Sequence, residues 1–185
     1  EAIIISMGPE PRFPLVMEAL EAGYHVFTPK PPAISLTDTL KLAEATRVNN
    51  RKLMINFQRR FSLGVRSALE IIDTDDFGKI SQIFCSFCSG PYNTPQDYLL
   101  DFAIHHFDLI RYLGGEIKTI ATFHNQIDNK GSFAVAVEFE SGAVGNMQLN
   151  CQRLWGRNYD RIEITGQNQY IVLDGLWKID HYTEG

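Results

Sequence analysis

Asp101 and His105 stand four residues apart in the stretch Asp101, Phe102, Ala103, Ile104, His105. On an α-helix, residues at that spacing share a face. A carboxylate placed there accepts the N–H of one imidazole nitrogen, fixes the tautomer and leaves the other nitrogen to act as a base. A base positioned in this way supplies ~10²–10⁴-fold in rate. Asp108 follows three residues later and is a second carboxylate within reach of His105. His106 points about 100° around the helix from His105 and need not share the site. Leu99, Leu100, Phe102, Ile104, Phe107, Leu109 and Ile110 make the helix apolar nearly all round, so it is expected to be buried. A buried Asp–His pair is unfavourable unless its polar atoms are satisfied, and such pairs mark sites. The competing reading is a surface pair that adds a few tenths of a kcal/mol, roughly, to helix stability.

Lys30 is the next candidate. It is flanked by Pro29, Pro31 and Pro32, which stiffen the backbone around it. A fixed ammonium there can stabilise an alkoxide that develops on a substrate carbon. Arg59 and Arg60 are placed to meet a phosphate or a sugar hydroxyl, or to be ordinary surface arginines. Cys85 and Cys88 form a C-x-x-C, but their spacing puts them on opposite faces of a strand. They are expected to be separate thiols, and no metal site is expected.

These residues need elements to hold them. Residues 2–6 are a short apolar, β-branched run, the pattern of a fully buried strand. Met7, Gly8, Pro9, Glu10 and Pro11 form a turn, and Leu15, Val16, Ala19 and Leu20 repeat at helical spacing up to a stop at Gly23. Residues 24–27 predict a second strand that ends at the proline-flanked lysine. Ser35 is a good N-cap for a helix over 36–48, and 52–57 predict a third strand. Strand, helix, strand, helix, strand with short links is the signature of a parallel sheet, and ligands bind at the carboxyl ends of its strands. Those ends are the turn at Met7, the segment around Lys30, and residues 56–60.

The pattern then changes. A helix is predicted over 63–72, a strand over 80–88, and a long helix from about 96 to 113 that stops at Gly114 and Gly115. Strands follow at 117–124, 133–140, 143–151, 159–165 and 170–173, with a tight turn at Ser141 and Gly142. Phe133, Val135, Val137 and Phe139 share one face of their strand; Ala134, Ala136, Glu138 and Glu140 share the other. The fold class is therefore α/β plus α+β: the C-terminal half of a Rossmann-type parallel sheet, then a largely antiparallel open sheet covered by helices on one face. The expected domains are 1–60 and 61–185. The mixed outer face leaves room for a second copy of the chain, so a homo-oligomer is expected through it.

The 185 residues carry a formal net charge of −5, with 44% hydrophobic and 21% charged residues. That is the composition of an ordinary globular protein, and its acidity argues against nucleic acid or an anionic membrane as partner. No apolar run reaches the ~20 residues of a membrane span. The opening residues carry no signal-peptide pattern, and three cysteines suit a reducing cytoplasm, so a cytoplasmic location is expected.

Several segments, taken in order, resemble the glucose–fructose oxidoreductase, inositol dehydrogenase and MocA (Gfo/Idh/MocA) family. EAGYHVFTPKPPAISL resembles its Glu-Lys-Pro segment and leading strand, and NFQRRFS the segment after its last Rossmann strand. LLDFAIHHFDLIRYLGG is similar to its Asp-x-x-x-His-x-x-Asp helix, and VAVEFESGAVGNMQ to its central sheet hairpin. The resemblance implies an oxidoreductase that passes a hydride between NAD or NADP and a carbon of a sugar, cyclitol or related polyol. It implies that His105 is the general acid or base, that Asp101 orients His105 or touches the substrate, and that Lys30 contacts the substrate oxygen and the cofactor. Met7, Gly8, Pro9 and Arg59 are the further cofactor contacts it suggests, and Arg60 a further substrate contact.

Two departures stand out. Pro29 occupies the place of the family's glutamate, and no G-x-G-x-x-G is present. The resemblance therefore also implies that the chain is part of a longer protein, beginning near the family's fourth strand and stopping before its last helix. The alternative is a non-catalytic relative that binds or assembles.

Overall fold

A computed structural model describes residues 1–154 and 159–184. The chain forms two compact units, Glu1–Phe57 and Gln58–Gly185.

The first unit is a three-stranded parallel sheet in the order β1 (Ala2–Ile4), β2 (His25–Pro29), β3 (Leu53–Asn56). Helix α1 (Pro9–Glu21) links β1 to β2, and α2 (Leu36–Val48) links β2 to β3. Helix α1 begins at Pro9, so the expected turn shrinks to Met7 and Gly8. Proline is tolerated there because the first helical N–H has no partner within the helix. As anticipated, Ser35 caps α2, its hydroxyl accepting from the Asp38 N–H at 3.0 Å. Val16 and Leu20 of α1 and Leu42 of α2 pack on Val26 of β2 to form the core of this unit. Strand β1 is not fully buried: it lies at the sheet edge, and Ile4 is 74% exposed.

The second unit is a seven-stranded sheet with helices on one face. Its strands are β4 (Gln82–Cys88), β5 (Ile117–Ile127), β6 (Lys130–Phe139), β7 (Val144–Asn150), β8 (Tyr159–Thr165), β9 (Tyr170–Asp174) and β10 (Lys178–Tyr182). The order is β10-β9-β8-β4-β7-β6-β5, with β4 and β7 parallel and every other neighbouring pair antiparallel. Strand β10 was not anticipated, because Lys178, Asp180 and Tyr182 give it a polar alternation with little apolar signal.

Helices α3 (Leu63–Ile72), α4 (Pro95–Tyr98) and α5 (Ile104–Gly114) belong to this unit. Val65 and Ala68 of α3 and Leu109, Ile110 and Leu113 of α5 pack on Ile83, Cys85, Val135, Val137, Phe139 and Met147 of the sheet. The alternation read from β6 holds, with Val135, Val137 and Phe139 in the core and Ala134 and Ala136 exposed on the opposite face. Helices α4 and α5 are joined by a π-helical turn, Leu99–Ala103, so the predicted long helix is continuous but its register is widened at one place. Such turns recur at functional sites because they redirect side chains.

Candidate active site

In the first unit the candidate residues sit at the carboxyl ends of the strands. Met7 and Gly8 follow β1, and Lys30 follows β2. Gly8 is the N-cap of α1 and makes no side-chain cap. Met7 is 42% exposed, Gly8 is exposed and Pro9 is half-buried. The first turn of α1 carries Pro9 and Pro11, which lack an N–H, and the acidic Glu10. It is therefore a poor cradle for a phosphate, which needs free N–H groups. A Cβ added at Gly8 would meet nothing within 4 Å, so the space beside the backbone is open here.

A residue that sequence reasoning missed organises these ends. Arg12 on α1 is 1% exposed. Its Nη1 donates to the Met7 carbonyl at 2.8 Å, and its Nη2 donates to the Pro31 carbonyl. One guanidinium thus ties the turn after β1 to the segment that carries Lys30. Burial lowers the Arg12 pKa from its ordinary value. No sequence signal marks it, since an arginine one turn into a helix ordinarily faces solvent.

In the second unit, Thr94 caps α4 by accepting from the Asp97 N–H at 3.1 Å. Asp101 lies inside the π-helical turn and His105 just beyond it. The simple expectation that both occupy one α-helical face therefore gives way to a wider turn. Asp101 is exposed, whereas His105 is 4% exposed. Tyr92, itself buried, donates its hydroxyl to Asp101 Oδ2 at 3.3 Å. Burial, followed by the Asp101 charge, pushes the Tyr92 hydroxyl well above the usual tyrosine value, so it stays protonated and remains a donor.

Asp108 and Arg60 form a pair. Arg60 Nε donates to Asp108 Oδ2 at 2.7 Å, Nη2 donates to the other carboxylate oxygen, and the guanidinium lies 4.6 Å from the centre of the Tyr112 ring. The sequence had assigned Asp108 to the neighbourhood of His105 and Arg60 to substrate. The bidentate geometry gives both a structural partner in addition.

Arg59 enters a buried cluster. Its Nη1 lies 2.5 Å from Asp160 Oδ2 and 3.3 Å from His106 Nε2, and its guanidinium carbon is 5.2 Å from the centre of the Phe87 ring. His106 Nε2 lies 2.9 Å from Asp160 Oδ1, and the imidazole stacks on Phe87 with ring centres 3.9 Å apart. Burial lowers the pKa of His106, which is fully enclosed, and outweighs the raising effect of Asp160. Burial pushes the Asp160 carboxyl up, but His106 and Arg59 together more than offset it and leave it below the ordinary value. The cluster thus holds a neutral imidazole, which donates Nε2–H to an ionised carboxylate. A cleft of about 660 Å³ opens beside it, with Arg59 and Asp160 on its wall and Trp177 at its rim. Sequence reasoning set His106 aside and did not single out Asp160. The pair is 54 residues apart, and no local spacing connects them.

Cys85 is buried and Cys88 half-buried, both as free thiols, at opposite faces of β4. Burial raises both thiols above their ordinary range. Among the described residues, no group of three or more His, Cys, Asp or Glu side chains is arranged to hold a metal ion. No helix among them is long and apolar enough to cross a membrane.

The architecture defines the class: a parallel β-α-β-α-β unit followed by a mixed sheet with helices on one face. Comparison with known proteins gives the family. Residues 1–57 match the profile of an oxidoreductase family with an NAD-binding Rossmann fold, and residues 65–172 match that of the GFO/IDH/MocA C-terminal domain. The chain belongs to the GFO/IDH/MocA oxidoreductase family.

Its relatives include a myo-inositol 2-dehydrogenase of Thermotoga maritima, 28% identical over 95% of this chain and 57% of the relative. Another is an NAD(+) scyllo-inositol 2-dehydrogenase of Bacillus subtilis, 25% identical over 99% of this chain and 57% of the relative. A dehydrogenase from Chromobacterium violaceum has the same fold, with a TM-score of 0.93 at 21% identity over 98% of this chain and 56% of that one. The chain thus spans a little over half the length of the relatives it matches.

Proposed function

We propose that the full-length protein oxidises a hydroxyl carbon of a sugar, cyclitol or related polyol, and that this chain supplies the acid–base side of the reaction. When bound, NAD or NADP would supply the nicotinamide ring that accepts the hydride from that carbon. The hydroxyl proton passes to His105, leaving a carbonyl. Asp101 orients His105 or the substrate hydroxyl, and Lys30 contacts the substrate oxygen and the cofactor. Arg60 is assigned to the substrate as well, and Met7, Gly8, Pro9 and Arg59 to the cofactor.

The observation that carries the reading is the redirection of the helix at Leu99–Ala103, next to a buried His105, in a member of an NAD-binding oxidoreductase family. The inositol dehydrogenases among the relatives favour a cyclitol or sugar as substrate. The open face of the second sheet, with Ala134 and Ala136 exposed beside Phe123, which is 82% exposed, supports a further proposal that two copies meet there.

The test is turnover of the full-length protein on a panel of myo-inositol, scyllo-inositol and aldoses with NAD+ or NADP+, followed by cofactor absorbance. His105→Asn and Lys30→Met are each expected to lower kcat by roughly 10²-fold or more with the circular dichroism spectrum unchanged. Wild-type turnover in both variants would sink the reading. Failure of the full-length protein to bind either cofactor would favour a non-catalytic relative, the reading that Pro29 in the family's glutamate position supports.

A further inference from the structure

Helix α5 begins with two adjacent histidines that face different surroundings. His105 is the proposed acid–base group, and His106 is fully enclosed behind it. The His106 ring is held on three sides. Phe87 of β4 stacks against its face, Asp160 of β8 takes its Nε2, and Arg59 from the short helical turn Gln58–Phe61 closes the edge. Asp160 in turn is held on its second oxygen by Arg59.

A buried carboxylate and a buried imidazole are retained at a cost in solvation, and an apolar pair of the same volume would pack without it. What the polar pair adds is direction. A hydrogen bond to one ring nitrogen fixes the tautomer and the rotation of the ring, and a ring fixed between a strand and a guanidinium fixes the backbone that bears it. That backbone is the first turn of α5, directly after the π-helical turn that carries Asp101. A π-helical turn has a wider and less regular hydrogen-bond ladder than an α-helix, so a side-chain anchor at its exit has something to correct.

We propose that Asp160 is a positioning residue for the acid–base helix: through His106 it sets the rotation of the turn that presents His105 and Asp101. This rests on the reading of His105 as acid–base group, and the role passes to no atom of the substrate. Arg59 holds Asp160 in place. The order of action is Arg59 on Asp160, Asp160 on His106, and His106 on the helix.

The experiment uses the full-length protein with NAD+ and whichever of myo-inositol or scyllo-inositol it turns over faster, and compares Asp160→Asn, His106→Gln and His105→Asn. Misplacement of a catalytic group by about 1 Å lowers turnover by roughly 10²-fold. Asp160→Asn is therefore expected to lower kcat by about 10- to 100-fold and to leave the KM for NAD+ within about twofold. It is also expected to shift the acid limb of the kcat profile and to raise the isotope effect seen with substrate deuterated at the reacting carbon. His106→Gln is expected to give the same signature should Asp160→Asn fail to fold. Partial unfolding alone would lower kcat and leave the profile and the isotope effect in place, and that result overturns the proposal. Wild-type kcat and profile in both variants alongside an inactive His105→Asn overturns the positioning role and leaves the function standing. Wild-type turnover in His105→Asn overturns the reading of the site and the positioning role with it.

Discussion

The hydroxyl of Tyr98 donates to the backbone carbonyl of Phe87 at 2.7 Å, and it accepts from the Asn150 N–H at 3.2 Å. One phenol on α4 therefore serves the ends of two parallel neighbours, β4 and β7, where their ladder stops. The ring is fully buried and stacks on Phe87, with centres 6.1 Å apart. This contact holds the start of the helical run that carries Asp101 and His105 against the sheet that carries Asp160.

Tyr98→Phe keeps the ring and removes the bridge. The buried Phe87 carbonyl and the part-buried Asn150 N–H lose this partner together, which costs about 1–3 kcal/mol. The urea midpoint of the full-length protein is expected to fall accordingly, with the near-ultraviolet circular dichroism of the remaining aromatics retained. An unchanged midpoint would show that water replaces the hydroxyl and that the bridge contributes nothing net.

Arg12→Met tests the first unit in the same way. The Met7 and Pro31 carbonyls lose the donor that ties them, while the apolar stem that fills the space is largely preserved. The segments after β1 and β2 should loosen without unfolding the sheet. The expected result is a Kd for NAD+ raised by roughly tenfold, about 1.4 kcal/mol, in isothermal titration of the full-length protein. Unaltered cofactor affinity would remove Arg12 from any role at the strand ends.

How much of this was legible in the residues differs between the two units. The parallel unit was readable because its signals are local: Ser35 before a periodic run, Gly23 after one, and apolar β-branched segments between them. Two of its readings failed: the turn extended through Pro11 came from treating prolines as breakers at a position where a helix tolerates them, and β1 was read as fully buried because an apolar run does not show that it lies at the sheet edge. In the second unit the alternation in β6 correctly separated the core face from the open one. The candidate site was readable only in part. Asp101 and His105 are close in sequence, so spacing could single them out as candidates, but the π-helical turn that carries Asp101 leaves no compositional trace. Arg59 and Asp160 are 101 residues apart, and Asp160 is placed by the pairing of β8 with β4. Strand order is a property of the whole sheet, and no window of sequence contains it.

Gly114 closes α5 against the sheet. A Cβ there would lie 2.6 Å from Ile83 Cδ1 and 2.8 Å from the Phe139 ring, and both of those side chains are buried in the core. Gly114→Ala gains up to about 1 kcal/mol in helix propensity. Overpacking costs about 1–3 kcal/mol and outweighs that gain. A lowered melting temperature is expected, with the partial rescue that Ile83→Val would give by shortening the opposing side chain. A variant more stable than the wild type would mean that α5 can move away from β4 freely.

His106 makes the stability of the second unit depend on pH, and the sign follows from the direction of its shift. Burial lowers its pKa, against the raising effects of the Asp160 carboxylate and the Phe102 carbonyl and with a smaller lowering effect of Arg59. The folded state therefore prefers the neutral ring. Its contribution is whole above the unfolded histidine's ordinary value of about 6.5 and is lost as pH falls below that, down to the lowered native value. Asp160 acts in a separate window: its native value is lowered, so its contribution is whole above the ordinary carboxyl range and is lost only in stronger acid. Between about pH 7.5 and 5.5 the imidazole alone titrates in this cluster, with a slope of at most about 1.4 kcal/mol per pH unit. The other histidines are common to wild type and His106→Gln, so the difference between the two proteins isolates this group. The gap in urea midpoint between them is expected to narrow as pH falls through that range. A gap that widens as pH falls would mean that His106 is charged when folded and the cluster is an ion pair, and a constant gap would mean that folding leaves its pKa unshifted; either result removes the neutral ring.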